Sequence, residues 1–342
     1  MRKRILFAIF AASVLAAPAH AQLGLLGTSE SVSIALSPAH PGPHDAVRLT
    51  VQSSLSDVAR SSIVWRANGK IIAQGTGVTS ATITAGDLGA ETTIDVATLA
   101  PDGTAAAATA HVIPTEVDLL FDSDSYTPPF YRGRALPSAG TSVVLQAIPH
   151  FIRPGGSRLA LGDLVYTWKK NDQVLGDLSG RGKSAIVIPA PVLYATDVLS
   201  VDVESSDGLL SGESSVAIHA EDPMIVLYEN HPIFGVLYGS ALSRSASIAE
   251  SEMTFTAVPY FASARIPTDR QLQYVWRING TKIPTDTNIP NELTLKASAS
   301  SNIAHIELAL THATNFFLDS SGSWNVTFSA AGGGQDLFRS TP

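Results

Sequence analysis

Along most of the chain, apolar and polar residues alternate in short runs separated by turn residues, and beyond the N-terminal stretch no segment keeps a helical period. Three of these runs end on tryptophan: "SIVW" at Trp65, "LVYTW" at Trp168 and "LQYVW" at Trp276. In the second and third, an aromatic lies two positions before the tryptophan, so alternation turns Tyr166 with Trp168, and Tyr274 with Trp276, toward one face. Ile63 takes that place before Trp65. Each tryptophan is followed three residues later by an asparagine: Asn68, Asn171 and Asn279. Asn-Gly in "ANGK" and "INGT" suits the φ > 0 of a tight hairpin, and "KNDQ" is a weaker version. The motif predicts a core strand running into a hairpin, with the tryptophan as a packing anchor that buries on the order of 200 Å².

The tryptophans lie 103 and 108 residues apart, a spacing that suits one β-sandwich per repeat and is too long for a solenoid. Other segments keep the same register. "VVLQAIPHF" (143–151) matches "MTFTAVPYF" (253–261), and "VDLLFDSDSYTPPFYRGRAL" (117–136) matches "PMIVLYENHPIFGVLYGSAL" (223–242) in the order of its features. The first repeat keeps "VRLTV" (47–51) but lacks the A-x-P-x-aromatic segment. Alternating segments after each tryptophan bring every repeat to about seven short strands, the signature of a Greek-key sandwich. The expectation is an all-β chain of three tandem immunoglobulin-like Greek-key β-sandwiches, over 29–114, 115–221 and 222–331, with a flexible tail at 332–342.

The Y-x-W strand, the N-G turn after it and the later V-x-V strands resemble those of bacterial immunoglobulin-like tandem-domain exported proteins of the surface or envelope type. The resemblance covers nearly all of residues 29–331 and implies exported, mainly non-catalytic modules. The chain departs from disulfide-bearing sandwiches in having no cysteine, so each core must hold itself together.

The N-terminus changes the picture of where the chain works. Arg2, Lys3 and Arg4 precede an apolar run from Ile5 to about Ala17, and Ala19-His20-Ala21 forms an A-x-A site. That order predicts a signal peptide over 1–21, cleaved after Ala21. Its loss takes the formal charge of -8 to about -11, which argues against nucleic acid and anionic lipid as partners. No later segment offers the roughly 20 apolar residues of a membrane span, so the mature chain should carry none. It is expected to be periplasmic, held at the cell surface, or extracellular.

Candidate chemistry is sparse. His40 and His44 lie four apart, but Pro41 and Pro43 exclude a helix between them, and the segment reads as a proline-rich loop. The other histidines are isolated, most at outward strand positions or turns. Asp122 and Asp124 form a weak calcium candidate, with ordinary turn chemistry as the simpler reading. No nucleophile elbow is present, and "GRGKSA" (180–185) precedes a strand rather than a helix, as a solvated hairpin would. No catalytic residue and no cofactor is expected.

Aromatic residues outside the tryptophan strands gather at two places: Tyr126, Phe130 and Tyr131, then Tyr228, Phe234 and Tyr238. Phe151 and Phe261 each open a long loop after an A-x-P strand. The simpler reading has these aromatics stiffening the joints of a three-domain rod. The functional reading makes them an exposed groove or edge that takes a partner strand or stacks sugars. The sequence thus points to an exported structural or protein-binding rod of the envelope or surface, in adhesion or surface assembly. Its partner would be another envelope or surface protein. A carbohydrate-binding module with glycan as ligand is the alternative. A hydrolase on the same scaffold comes third, since it needs a cleft with converging ionisable groups.

Overall fold

A computed structural model describes residues 32–53, 57–192, 195–297 and 303–328. The expected signal peptide and C-terminal tail lie outside these described residues. The first sandwich is built from β1 (Val32–Ser37), β2 (Ala46–Ser53), β3 (Ser62–Ala67), β4 (Lys70–Thr76), β5 (Ser80–Thr84), β6 (Thr92–Leu99) and β7 (Ala105–Val112). The order β1-β2-β5 makes one sheet and β4-β3-β6-β7 the other. The chain thus crosses between sheets after its second, fourth and fifth strands, the Greek-key path of an immunoglobulin-like fold. The fourth strand pairs with the third, which leaves three strands on one side and four on the other.

The second sandwich repeats this plan. It contains β8 (Val117–Ser123), β9 (Ser142–Pro149), β10 (Leu164–Lys170), β11 (Gln173–Val174), β12 (Gly180–Arg181), β13 (Ala185–Pro189), β14 (Thr196–Ser205) and β15 (Ser211–His219). Its sheets are β13-β9-β8 and β11-β10-β14-β15, with β12 also on β10. The third contains β16 (Met224–His231), β17 (Gly235–Ala241), β18 (Ser245–Ile248), β19 (Glu252–Tyr260), β20 (Leu272–Ile278), β21 (Thr281–Lys282), β22 (Glu292–Lys296), β23 (Ile303–His312) and β24 (Asp319–Phe328). It adds two strands to the plan: β17 widens one sheet to β17-β16-β19-β22, and β18 joins the other in parallel with β24.

Each sandwich has its own core between its sheets, and Trp65, Trp168 and Trp276 are fully buried at the three centres. Tyr166 and Tyr274 lie inward beside them, as alternation requires. A buried indole must place its N–H, and all three place it identically. Trp65 Nε1 donates to the Val78 carbonyl (2.9 Å), Trp168 to Lys183 (2.8 Å) and Trp276 to Pro290 (3.0 Å). Each acceptor lies two residues before β5, β13 or β22. The bond therefore spans the two sheets.

The asparagines do more than turn the chain. Asn68, Asn171 and Asn279 have φ of 48°, 49° and 51°, in the left-handed region that asparagine tolerates. There each main-chain N–H donates to a carbonyl near the start of the sixth main strand: Thr93, Val198 and His305, at 2.8 Å in every case. The Oδ1 atoms accept the N–H groups of those same residues at 3.0, 2.8 and 2.8 Å. The side chain thus acts as one more rung of the ladder between the hairpin and β6, β14 or β23.

The matched segments 117–136 and 223–242 fold differently. In the second sandwich the chain after β8 runs as a loop from 124 to 141. In the third it turns at Gly235 (φ 69°) and pairs back on its own sheet as β17, with Asn230 opposite Val236. Pro128 and Pro129 stand in the second-sandwich loop, and without N–H groups they cannot support a matching strand.

In each sandwich the chain entry and the loops after the second and sixth main strands lie at one end, here termed the leading end. The connection after the first strand lies at the trailing end.

Replacing Trp168 with Phe keeps most of the apolar bulk but strands the Lys183 carbonyl, and should cost about 1–3 kcal/mol. Trp168→Ala should cost about 3–5 kcal/mol. Unchanged stability of Trp168→Phe in urea unfolding would sink the role of the indole bond. Asn171→Gly keeps the left-handed turn but loses the rung to Val198, and is expected to lower stability by about 1 kcal/mol. Asn171→Ala adds the cost of φ > 0, roughly another 1 kcal/mol, and the same urea series would show no loss for Asn171→Gly if the turn alone mattered.

Candidate functional site: the joints between sandwiches

Both joints use the trailing end of one sandwich and the leading end of the next. At the first, the proline-rich loop after β1 meets the second sandwich. His40 Nδ1 lies 2.9 Å from Ser211 Oγ, and Thr115 N donates to the Pro41 carbonyl at 3.1 Å. Thr115 Oγ1 donates to the Ser211 carbonyl at 2.5 Å. Gly89, with φ of 76°, approaches so closely that an added Cβ would lie 2.8 Å from the Ile152 carbonyl oxygen.

The second joint is more extensive. Tyr126 donates its N–H to Ala262 O (2.9 Å) and accepts the N–H of Phe261 at 2.7 Å, a short β-type bridge between sandwiches. Ser138 Oγ donates to Phe261 O at 2.6 Å, and Asn315 Nδ2 donates to Ala139 O at 2.7 Å. Gly140 (φ 90°) lies under Asn315, where an added Cβ would come within 2.2 Å of Nδ2.

Alternation along β16 and β19 explains the seat on which this loop rests. Leu227, Phe255 and Ala257 face the third core, so Tyr228, Val258 and Tyr260 face the other way. β17 adds Val236 and Tyr238 to that face, and Tyr126 closes it from the neighbouring sandwich. Tyr228 and Tyr260 share a hydroxyl–hydroxyl hydrogen bond of 2.7 Å, and the rings of Tyr228 and Tyr238 lie 5.5 Å apart. Tyr131 meets both Tyr260 and Phe261 edge-on at 5.9 Å. Burial pushes the Tyr126 hydroxyl up to about 12, with Tyr238 adding to the effect. Burial also raises Tyr260, and its hydrogen bond with Tyr228 raises it further.

The structure therefore gathers five of the eight aromatic candidates, Tyr126, Tyr131, Tyr228, Tyr238 and Phe261, into this joint. Phe151 lies apart from them, fully buried in the second core. Phe130 and Phe234 are outside: Phe130 is 90% exposed and Phe234 74%. The loop after Phe261 enters the second joint, with Ala262 and Ala264 buried, while the loop after Phe151 starts at the first joint, where Ile152 lies against Gly89, and is tied by an Arg153–Asp207 ion pair of 2.5 Å. Asp122 and Asp124 accept the backbone N–H groups of Ser123 and Ser142 at 2.9 and 2.7 Å. Among the described residues, no three His, Asp or Glu side chains gather as metal ligands.

Sequence reasoning missed two parts of the joint. His312, expected among outward or turn positions, is buried, and its Nδ1 accepts the N–H of Asn315 at 2.9 Å, fixing the loop that reaches Ala139. Phe316 and Phe317 follow on that loop, Phe316 at 90% exposure. The signal was two consecutive aromatics inside an Asn- and Asp-containing turn segment, "TNFFLD".

No protein-family model and no curated protein matches the chain. Among solved structures, the fibronectin(III)-like modules of Clostridium thermocellum CbhA are 14% identical, cover 55% of this chain and 94% of their own, and give a TM-score of 0.26. The three N-terminal domains of the bacteriophage RB49 Highly Immunogenic Outer Capsid protein are 13% identical, with coverages of 88% and 99% and a TM-score of 0.25. The central fibronectin-III array of RIM-binding protein is 13% identical, with coverages of 87% and 96% and a TM-score of 0.29. Sheet order and strand register, rather than these likenesses, carry the fold assignment.

Because the folded-state value for Tyr126 is raised above that of the unfolded chain, its contribution is intact below about pH 10 and is lost as pH rises toward 12. Tyrosinate absorbance should therefore titrate in at least two steps, and small-angle scattering should show the second joint loosening with the later one. Ionisation of all eight tyrosines in a single step near pH 10 would contradict the buried cluster.

Proposed function

We propose that this chain is an exported, non-catalytic rod of the cell envelope or surface, whose second joint presents aromatic side chains to a protein partner. The observation that carries this reading is the pair Phe130 and Phe316, each 90% exposed on a loop that the joint holds in place. Phe130 has φ of 66°, a strained conformation for a bulky residue, and the packing of Tyr131 next to it keeps it there. Phe316 follows Asn315, which His312 and Ala139 fix from two sides. Rings held in water at a structural cost, on loops without freedom to turn them inward, are what a partner-binding surface needs.

The non-catalytic part of the reading draws on the polar groups. The hydroxyl–imidazole contacts Ser211–His40 (2.9 Å), beside Thr115 in the first joint, and Thr196–His219 (2.7 Å) each lack a third member, since no carboxylate bonds His40 or His219 among the described residues. Export is supported by the basic, apolar and A-x-A order of the N-terminus. Among the described residues no helix is long and apolar enough to cross a membrane. A glycan-binding reading would rest on the same exposed rings, because Tyr228 faces Tyr260 and Tyr238 inside the joint and offers no free face.

The double variant Phe130→Ala, Phe316→Ala should leave stability within about 0.5 kcal/mol, as for exposed positions. Its affinity for the partner should fall by about 1–3 kcal/mol, roughly fivefold to 150-fold. Photo-crosslinking from position 130 in intact cells, with mass spectrometry of the adduct, identifies the partner. Unchanged recovery with the double variant refutes the joint as the binding surface, and an adduct that contains only glycan moves the assignment to the carbohydrate-binding class.

A further inference from the structure

We infer that the open edge of β8 accepts an extended segment of another protein, which adds to the second sandwich as an antiparallel strand. The contact stands without the exposed rings of the second joint, since it is made through the main chain of β8. Which residues of β8 bond β9 follows from the two ends of the pair. Asp124 N donates to the Ser142 carbonyl, and His150 N donates to that of Glu116. The register carries this pattern through every second residue, so Asp118, Leu120 and Asp122 bond β9. Leu119 and Phe121 therefore turn their N–H and C=O groups the other way. No strand pairs with that edge, and among the described residues no loop bonds the main chain of either.

The third sandwich shows what such an edge takes. Leu119 lies opposite Ala147 and Leu227 opposite Ala257, so the two leucines hold the same place in β8 and β16. At Leu227 the edge is filled. Leu242 N donates to its carbonyl at 2.7 Å, and β17 continues the pairing along Tyr228, Asn230 and His231. β17 also lays Val236 and Tyr238 against Tyr228 and Val258 on the outer face. The counterparts of those two residues in the second sandwich are Leu120 and Ile148, and Leu120 is left 56% exposed.

The loop 124–141 forms no such strand and returns to β8 through a side chain, the Arg134 guanidinium 3.7 Å from the centre of the Phe121 ring. Between loop and sheet a groove of about 620 Å³ remains, lined by Leu120, Asp122, Thr127, Arg134, Val144 and Gln146. Val144 is half-exposed there, whereas the same face of β2 in the first sandwich carries Arg48, Thr50 and Gln52. Among the described residues, every strand of this chain already pairs within its own sandwich, so the added strand comes from another protein. Its chemistry follows from the edge. Main-chain bonds to Leu119 and Phe121 hold it whatever its sequence, and apolar residues at alternate positions cover Leu120 and Val144.

A peptide of residues 234–242, which spans β17, is the probe. Added to the chain from Gln22 onward, it should slow hydrogen exchange at the Leu119 and Phe121 amides and leave Leu120 and Asp122, already bonded to β9, unchanged. The same peptide N-methylated at Leu242 lacks the donor that serves Leu227, and should bind about tenfold more weakly, the scale of one good interface contact. Leu120→Lys should weaken binding by about the same factor without changing the melting temperature. Phe130→Ala, Phe316→Ala should bind the peptide as the parent chain does, so the edge and the exposed rings stand or fall separately. Unslowed exchange at the two amides, or equal binding of the N-methylated peptide, would overturn the inference. Slowing that grows with the concentration of the chain alone would place a second copy on the edge and overturn the choice of partner.

Discussion

The tryptophan indole bond is the constraint from which the rest of each sandwich follows. A sandwich without disulfides has two sheets free to slide against one another, and apolar contact alone is not directional. Here a side chain from the third strand reaches across and fixes the carbonyl two residues before β5, β13 or β22. Those strands pair with β2, β9 and β19, which pair in turn with the first strand, so one bond sets the stagger of a whole sheet. Breaking it would leave a carbonyl unpaired in the interior, which costs more than the bond itself contributes. The acceptors are Val78, Lys183 and Pro290, three residues with no side-chain property in common. Only the main chain is used, so the bond constrains geometry without leaving a side-chain signature at the accepting position.

That is also why some features were legible in the sequence and others were not. Tryptophan, the inward tyrosine and the hairpin asparagine sit at fixed offsets within one strand, where alternation and turn chemistry act locally. The second role of the asparagines was hidden because their partners Thr93, Val198 and His305 lie 25 to 27 residues away. The segments 117–136 and 223–242 mislead for a different reason: they share an order of features but not the capacity to pair. Two prolines in one and a left-handed glycine in the other decide between a loop and β17. Aromatic content marked the joint, yet it did not distinguish Tyr228, turned into the seat, from Phe130, turned out of it. That distinction is made by tertiary contacts across two sandwiches.

The joint and the exposed rings depend on each other in one direction only. Tyr126, Tyr228, Val258 and Tyr260 bury their apolar surface, and Tyr228 and Tyr260 satisfy each other's hydroxyls, whether or not anything binds outside. Phe130 has no such independence. Its left-handed backbone costs of order 1 kcal/mol or more, and its ring gains nothing by standing in water. It persists because Tyr131 is packed on Phe261 on one side and Tyr126 is bridged to the third sandwich nearby. Any change that frees the loop from the joint removes the reason for Phe130 to stay exposed, and the ring is then free to fold back onto apolar surface. The tightness of the second joint and the exposure of Phe130 are therefore one property, set by the contacts between the second and third sandwiches rather than by either sandwich alone.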